Sequence, residues 1–170
     1  VPIDAADVIR QSVALVTSQA RKQGVEIHTA VEETIPLIGD ETLLKQLLLN
    51  LLLNAIQAMP DGGEVAVSAR AVPPPRGESA ERGGALIEIA DTGPGIPEDL
   101  LEKVFDPFFT TKSGGTGLGL SICYGIAERH RGEIEIDSRT DTGGDVDEPA
   151  ASTTGGSGTT VRVRLRGGRP

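Results

Sequence analysis

Four short amide side chains, Gln46, Asn50, Asn54 and Gln57, interrupt the otherwise aliphatic run QLLLNLLLNAIQAM. At about 100° per residue they fall within roughly an 80° sector of a helix, forming one polar stripe. A solvated outer face fits that spacing. Asn is nonetheless a poor helix former, and an exposed stripe would be better built from Lys or Glu. Carboxamide oxygens are hard ligands suited to magnesium, above all when substrate phosphates complete the coordination.

Three further signals follow along the chain. In ALIEIAD, alternation places Asp91 on the same side as Ile87 and Ile89, so a carboxylate ends an apolar row and needs a donor. It serves equally as an ordinary turn residue opening Asp91-Thr92-Gly93 or as an acceptor for the exocyclic amine of a purine. GGTGLGLS sets Gly114, Gly115, Gly117 and Gly119 at the entrance to a helix, where backbone N–H groups face an approaching phosphate. It has neither the Lys-Ser/Thr of the Walker loop nor G-x-G-x-x-G spacing after a strand, and a plain turn accounts for it as well. FDPFFTTK holds all three phenylalanines, Phe105, Phe108 and Phe109, in a loop, either as satellite packing or as a lid that docks over a ligand. Lys112 beside them is a candidate phosphate contact.

The elements that must position these residues are legible from periodicity. Helical spacing over 5–22 ends at Gly24, VEIHTAV alternates as a strand from Val25, and a short PLIG strand follows. Asp40 caps a helix expected over Glu41 to Met59, closed by Pro60-Asp61-Gly62-Gly63. GEVAVSARA and ALIEIAD pair as a hairpin with an elongated loop, with a loop insertion over about 73–84. A third helix resumes near Leu118 and ends near Gly132. GEIEIDS and TTVRVRLR are strands around a second insertion, about 141–158. The pattern predicts helices layered on a sheet, as one domain spanning 1–170.

Composition closes other routes. Lys+Arg 16 against Asp+Glu 25 gives a net charge of -9, which repels polyanions, and no Trp with a single Tyr leaves no platform for base stacking. Nucleic acid is therefore not an expected partner. One cysteine, Cys123, and two histidines, His28 and His130, provide neither a disulfide nor a zinc cluster. No apolar run reaches membrane-spanning length, so membrane contact by this segment is not expected.

Taken in order, NLLLNAIQAM, DTGPGI, FDPFFTTK and GGTGLGLSI resemble the ATP-binding catalytic domain of bacterial sensor histidine kinases, in the GHKL or Bergerat-fold ATPase superfamily. The wording of FDPFFTTK resembles the nitrogen-regulation and transport-sensor branches more than the osmosensor branch. The resemblance implies a two-layer α/β (α+β) sandwich: a mixed sheet, three main helices on one face, and ATP between them under a flexible lid over about 97–116. It implies that Asn54 ligates Mg²⁺, that Asn50 and Gln57 line the phosphate site, and that Asp91 accepts from the adenine amine. Gly93, Gly95 and Ile96 then pass the base, and Phe105, Phe108 and Phe109 anchor the lid with Lys112 near the phosphates. Gly115, Thr116, Gly117, Leu118, Gly119 and Leu120 cradle the phosphates, and Thr159 and Thr160 approach the adenine.

Two positions depart from the family pattern. Gln57 stands where many members carry a basic residue and Ala58 where an aromatic is common, leaving charge neutralisation to Mg²⁺ and Lys112. Neither histidine has the acidic neighbour and downstream proline of the family's phosphoacceptor; His28 lies on the polar side of a strand, and His130 near a helix end where a cation is favourable. The phosphoacceptor histidine and its dimerising helices are therefore expected outside this segment, and the segment alone is expected to be monomeric. The implied activity is transfer of the γ-phosphoryl group of Mg-ATP to a histidine on that companion domain, with a response regulator next, in a cytoplasmic domain whether or not its parent is membrane-anchored. Asn50 stands where ATP-hydrolysing relatives carry a water-activating glutamate, which fits an external nucleophile. A nucleotide-dependent partner-binding module without transfer, and a serine kinase of the anti-sigma-factor type, are the alternative readings.

Overall fold

The computed structural model describes residues 1–107, 119–140 and 156–167. Its principal sheet has five strands, β2 (Val25–Val31), β4 (Gly63–Val72), β5 (Gly84–Asp91), β6 (Glu133–Arg139) and β7 (Gly158–Arg166), in the order β2-β4-β5-β7-β6. The β2–β4 pair is parallel and the other three pairs are antiparallel, so the sheet is mixed. A separate two-stranded sheet joins β1 (Pro2–Asp4) to β3 (Pro36–Ile38). The sequence marks PLIG but not its partner, the three-residue β1.

Helices α1 (Ala5–Lys22), α2 (Glu41–Gln57) and α4 (Gly119–Arg129) pack on one face of the sheet, and a one-turn helix, α3 (Glu98–Leu101), follows β5. Both long N-termini are capped as carboxylates dictate. Asp4 accepts the Ala6 N–H at 2.9 Å and also the Ile35 N–H at 2.8 Å, and Asp40 accepts the Leu43 N–H at 3.0 Å. Helix α2 lies between α1 and α4 and above the sheet, which explains its composition. Leu44, Leu47, Leu48, Leu51, Leu52, Ala55 and Ile56 are all buried, and only a narrow strip is left for polar side chains. Each fully buried leucine contributes about 1.5–3 kcal/mol of transfer free energy.

Beneath the helices, Val65, Val67, Ile87, Ile89, Val163 and Leu165 form the sheet's half of the core. The other face is charged: Arg162 Nε meets Glu88 Oε1 at 2.8 Å across β5 and β7. On that face His28 Nε2 stands 3.7 Å from Glu26 and 4.0 Å from Glu64, all three exposed to water. Strands β5 and β7 begin at Gly84 and Gly158, so each takes one residue from the expected insertions, and the first insertion holds a 3-10 turn at Ala80–Arg82.

His130 is where the structure corrects the sequence reading. Its ring is buried, Nε2 accepts the Asp40 N–H at 3.1 Å and Nδ1 faces the Ile126 carbonyl at 2.9 Å. An amide donor on one nitrogen and a carbonyl on the other require the neutral ring with its proton on Nδ1. The imidazole bridges α4 to the cap of α2, at the helix end where the sequence favoured a cation. Gly39 leaves room for it, since a Cβ there would stand 2.8 Å from the ring.

Candidate nucleotide site

Asn50 and Asn54 lie half-buried on α2, one turn apart, and Gln46 and Gln57 are exposed at the two ends of the same stripe. The first residue of α4 comes close to this stripe: a Cβ on Gly119 would stand 3.6 Å from Asn54 Nδ2. Leu120 beside it turns inward onto the core. Deeper in the α2–α4 interface, the Cys123 sulfur is fully buried, 3.7 Å from the Leu47 carbonyl and hydrogen-bonded to the Asn50 side chain. Burial pushes its thiol up to about 12, and the Asn50 and backbone hydrogen bonds offset part of that rise. It is a packed, inert thiol that touches the amide stripe at Asn50.

Strand ends supply the other wall. Asp91 closes β5 with Oδ1 accepting the Gly93 N–H at 2.9 Å, the turn anticipated from sequence. Gly93 is pressed toward the end of α2, where an added Cβ would stand 2.9 Å from Asp91 Oδ1, 3.3 Å from Met59 and 3.4 Å from Ala58. Only a residue without a side chain leaves space between Asp91 and the helix end. Thr92 fastens this corner, its hydroxyl accepting the Glu64 N–H at 3.0 Å while its N–H donates to the Glu64 carbonyl at 3.1 Å. Gly95 has φ +79°, and a Cβ there would run into the Arg139 carbonyl.

Register places β7 directly opposite this corner: Asp91 pairs with Thr159, and Ala90 with Thr160. Thr159 therefore shares the helix-facing side with Asp91, and Thr160 points to the outer face, so the structure separates these two candidates. Ser138, at the far end of β6, pairs with Thr159 and shares its side. Its hydroxyl accepts the Ile96 N–H at 2.7 Å and lies 2.7 Å from Thr159 Oγ1 and 3.2 Å from the Gly158 carbonyl. Sequence reasoning missed it, although the signal that found Asp91 was present. In EIEIDSR a polar residue ends the row begun by Ile134 and Ile136.

Phe105 is half-buried, and its ring meets that of Tyr124 on α4 with centroids 5.8 Å apart at 50°, tying the segment after α3 to the helix. Phe108, Phe109, Lys112, Gly115, Thr116, Gly117 and Leu118, with the second part of the expected lid and most of the second insertion, lie outside the described residues. Among the described residues no helix is long and apolar enough to cross a membrane.

Known proteins share both the sequence and the architecture. Sporulation kinase A of Bacillus subtilis is 38% identical over 131 residues, covering 76% of this chain and 20% of that protein. The mycobacterial sensor histidine kinase MprB superposes with a TM-score of 0.76 at 31% identity, covering 98% of this chain and 97% of that one. Full-length ShkA, solved in complex with AMPPNP, gives 0.73 at 26% identity, covering 98% of this chain and 31% of that one. The chain spans less than a third of the length of the curated relatives it matches. A family model matches residues 39–169, and on that match the chain belongs to the histidine kinase-, DNA gyrase B- and HSP90-like ATPase family.

Proposed function

We propose that this domain binds Mg-ATP between α2, the β5 corner and the start of α4, and delivers the γ-phosphoryl group to a histidine on a companion dimerisation domain, from which a response regulator takes it. The observation that carries the reading is the convergence of three independent sequence signals on the helix-facing side of the sheet. The amide stripe meets Gly119 at Asn54, in the last turn of α2, and the Asp91–Gly93 turn meets Ala58 and Met59 just beyond the same end. A Cβ on Gly93 would crowd the Asp91 carboxylate, and Gly119 brings the head of α4 to contact distance of Asn54, which suits a planar base at one place and phosphates at the other.

In this reading Asp91 accepts the purine amine, Gly93, Gly95 and Ile96 pass beside the base, and Thr159 faces the same pocket. Asn54 would hold Mg²⁺ through its carboxamide oxygen, with Asn50 and Gln57 toward the phosphates. Bound magnesium supplies charge compensation for the transferring phosphoryl group, the main need of such a reaction. The chain's own part is orientation: backbone donors at the head of α4, an amide in place of a water-activating carboxylate at Asn50, and Phe105 docked on Tyr124. With no general base at that position, the attacking group must come from another domain. Phe108, Phe109, Lys112 and the glycines from 115 to 117 complete the proposal as lid and phosphate loop.

The test mixes the domain with radiolabelled Mg-ATP and the separately produced histidine-bearing helical domain of its parent protein. Acid-labile, alkali-stable label on that partner is the expected result. Binding of nucleotide without any transfer would leave a partner-binding module, and label on a serine would make the chain a serine kinase.

A further inference from the structure

We propose that Glu26, His28 and Glu64 form a binding site for one divalent transition-metal ion of the zinc class, on the outer face of the sheet and apart from the nucleotide corner. Glu26 and His28 stand two residues apart on β2, so both point away from the helices, while Val25 and Ile27 turn to the core. Glu64 on β4 is the direct register partner of Glu26 and shares its face. The pairing thus gathers one imidazole and two carboxylates around a single point. Their ligand atoms all lie within 4.8 Å of one another, with His28 Nε2 3.7 Å from Glu26 Oε2 and 4.0 Å from Glu64 Oε1. Opposite His28 stands Ala66, whose methyl group leaves the ring room to swing toward the carboxylates. Composition set a zinc cluster aside because it counts cysteines and histidines, whereas the register adds two carboxylates to one histidine.

Two carboxylates directly opposite on neighbouring strands repel, and among the described residues no lysine or arginine stands within ion-pair distance of either. An imidazole with two carboxylates is a mixed nitrogen and oxygen ligand set, which suits zinc better than magnesium or calcium. Bond lengths of about 2.0–2.2 Å around a tetrahedral ion put neighbouring ligand atoms about 3.3–3.6 Å apart. The two His28 distances exceed that by only about 0.4 Å. The carboxylates repel while no ion is present and draw in once a cation stands between them. All three side chains are exposed, so closure needs only their rotation, and the fourth position is left to water. Such an ion ties the first residues of the edge strand β2 to β4. Glu64 also holds Thr92 through its backbone, at 3.0 and 3.1 Å, so the site braces the strand beside the nucleotide corner without using that corner's side chains.

The experiment titrates Zn²⁺ by calorimetry into the full 170-residue chain, stripped with chelator and free of nucleotide, and into His28→Ala, Glu26→Gln and Glu64→Gln, with folding checked by circular dichroism. One ion per chain is the expected stoichiometry. Each substitution should weaken affinity by at least the roughly 10- to 100-fold that loss of an outer-shell partner costs a metal site. The Tm should rise with zinc in the wild type and not in His28→Ala. The chain has only two histidines, and both ring nitrogens of His130 are engaged inside the protein, so proton NMR of the wild type reads the site without any variant. Zinc should move the His28 ring signals and leave those of His130 in place. Zinc bound as tightly by His28→Ala as by the wild type, unresponsive His28 signals, or an affinity untouched by either glutamine substitution overturns the site. Wild-type protein with no saturable zinc binding tighter than about 1 mM overturns it as well. The nucleotide reading is tested separately, since ADP titration without zinc does not involve these three side chains.

Discussion

Asp91 performs two tasks that a pair of substitutions can separate. Its Oδ1 accepts the Gly93 N–H at 2.9 Å, a local turn that an asparagine oxygen makes equally well. Asp91→Asn should therefore unfold within about 0.5 kcal/mol of the wild type, whereas Asp91→Ala strips the N–H of buried Gly93 of its acceptor and should cost about 1 kcal/mol. For a domain of this size that corresponds to a fall in Tm of about 2–4 °C for the alanine variant alone. Nucleotide affinity should follow a different order. Hydrogen bonds to a charged acceptor are worth about 1.5–3 kcal/mol, so losing the carboxylate should weaken ADP binding about 10- to 150-fold in both variants. The asparagine has no advantage there, because its NH₂ is a donor facing a donor amine. Urea or thermal unfolding followed by circular dichroism gives the first quantity and calorimetry the second. An Asp91→Asn variant that binds ADP within twofold of wild type would refute the role given to the carboxylate, however stable it proves.

Asn54→Ala should leave ADP affinity in EDTA within about twofold of wild type while abolishing the gain on adding Mg²⁺, read by paired calorimetric titrations; equal losses in both buffers would remove Asn54 as the metal ligand. Gly95→Ala places a side chain at φ +79° and against the Arg139 carbonyl, so it should cost about 2 kcal/mol or more in urea unfolding and release the Ile96–Ser138 hydrogen bond. Cys123 yields a pH dependence of definite sign. Its folded thiol keeps the proton to about 12 while the unfolded thiol releases it near 9.0, so above pH 9 the unfolded state binds fewer protons. Its contribution is complete below that point and should fall by about 1.4 kcal/mol per pH unit above it, up to the folded value. The measurement is the difference between wild-type and Cys123→Ala unfolding free energies from pH 8 to 11, and a flat difference would show that the thiol is not held neutral by burial.

Most of the fold was legible because its elements obey their periods. Helices α1 and α2 and all five strands of the main sheet begin and end within two residues of the sequence expectation, since Asp40, Gly24 and the Pro60–Gly63 turn fix their ends chemically. What escaped the sequence was short or non-local. Strand β1 has three residues and only its pairing with β3 defines it, and α3 has a single turn without a buried side chain. The neutral role of His130 depends on an amide 90 residues away. No reading of its own helix end could supply that donor.

The candidate site divides along the same line, and the division has a physical origin. Asn50, Asn54 and Asp91 stood out because each is polar at a position where its element is otherwise apolar, and a lone polar group at such a place must be satisfied by something. Ser138 and Thr159 obey the same rule, yet each is an ordinary strand-end residue until register sets them side by side at 2.7 Å. The strands thus bury their middles as core and place their polar ends together at one rim beside α2, so core packing and site geometry are fixed by the same registers. A one-residue slip of β7 would turn Thr159 to the outer face and bring Thr160 inward, toward Asp91, while also exposing Val163 and Leu165. Those two side chains are fully buried, so the hydrophobic term that holds the register also holds the hydroxyl beside the carboxylate.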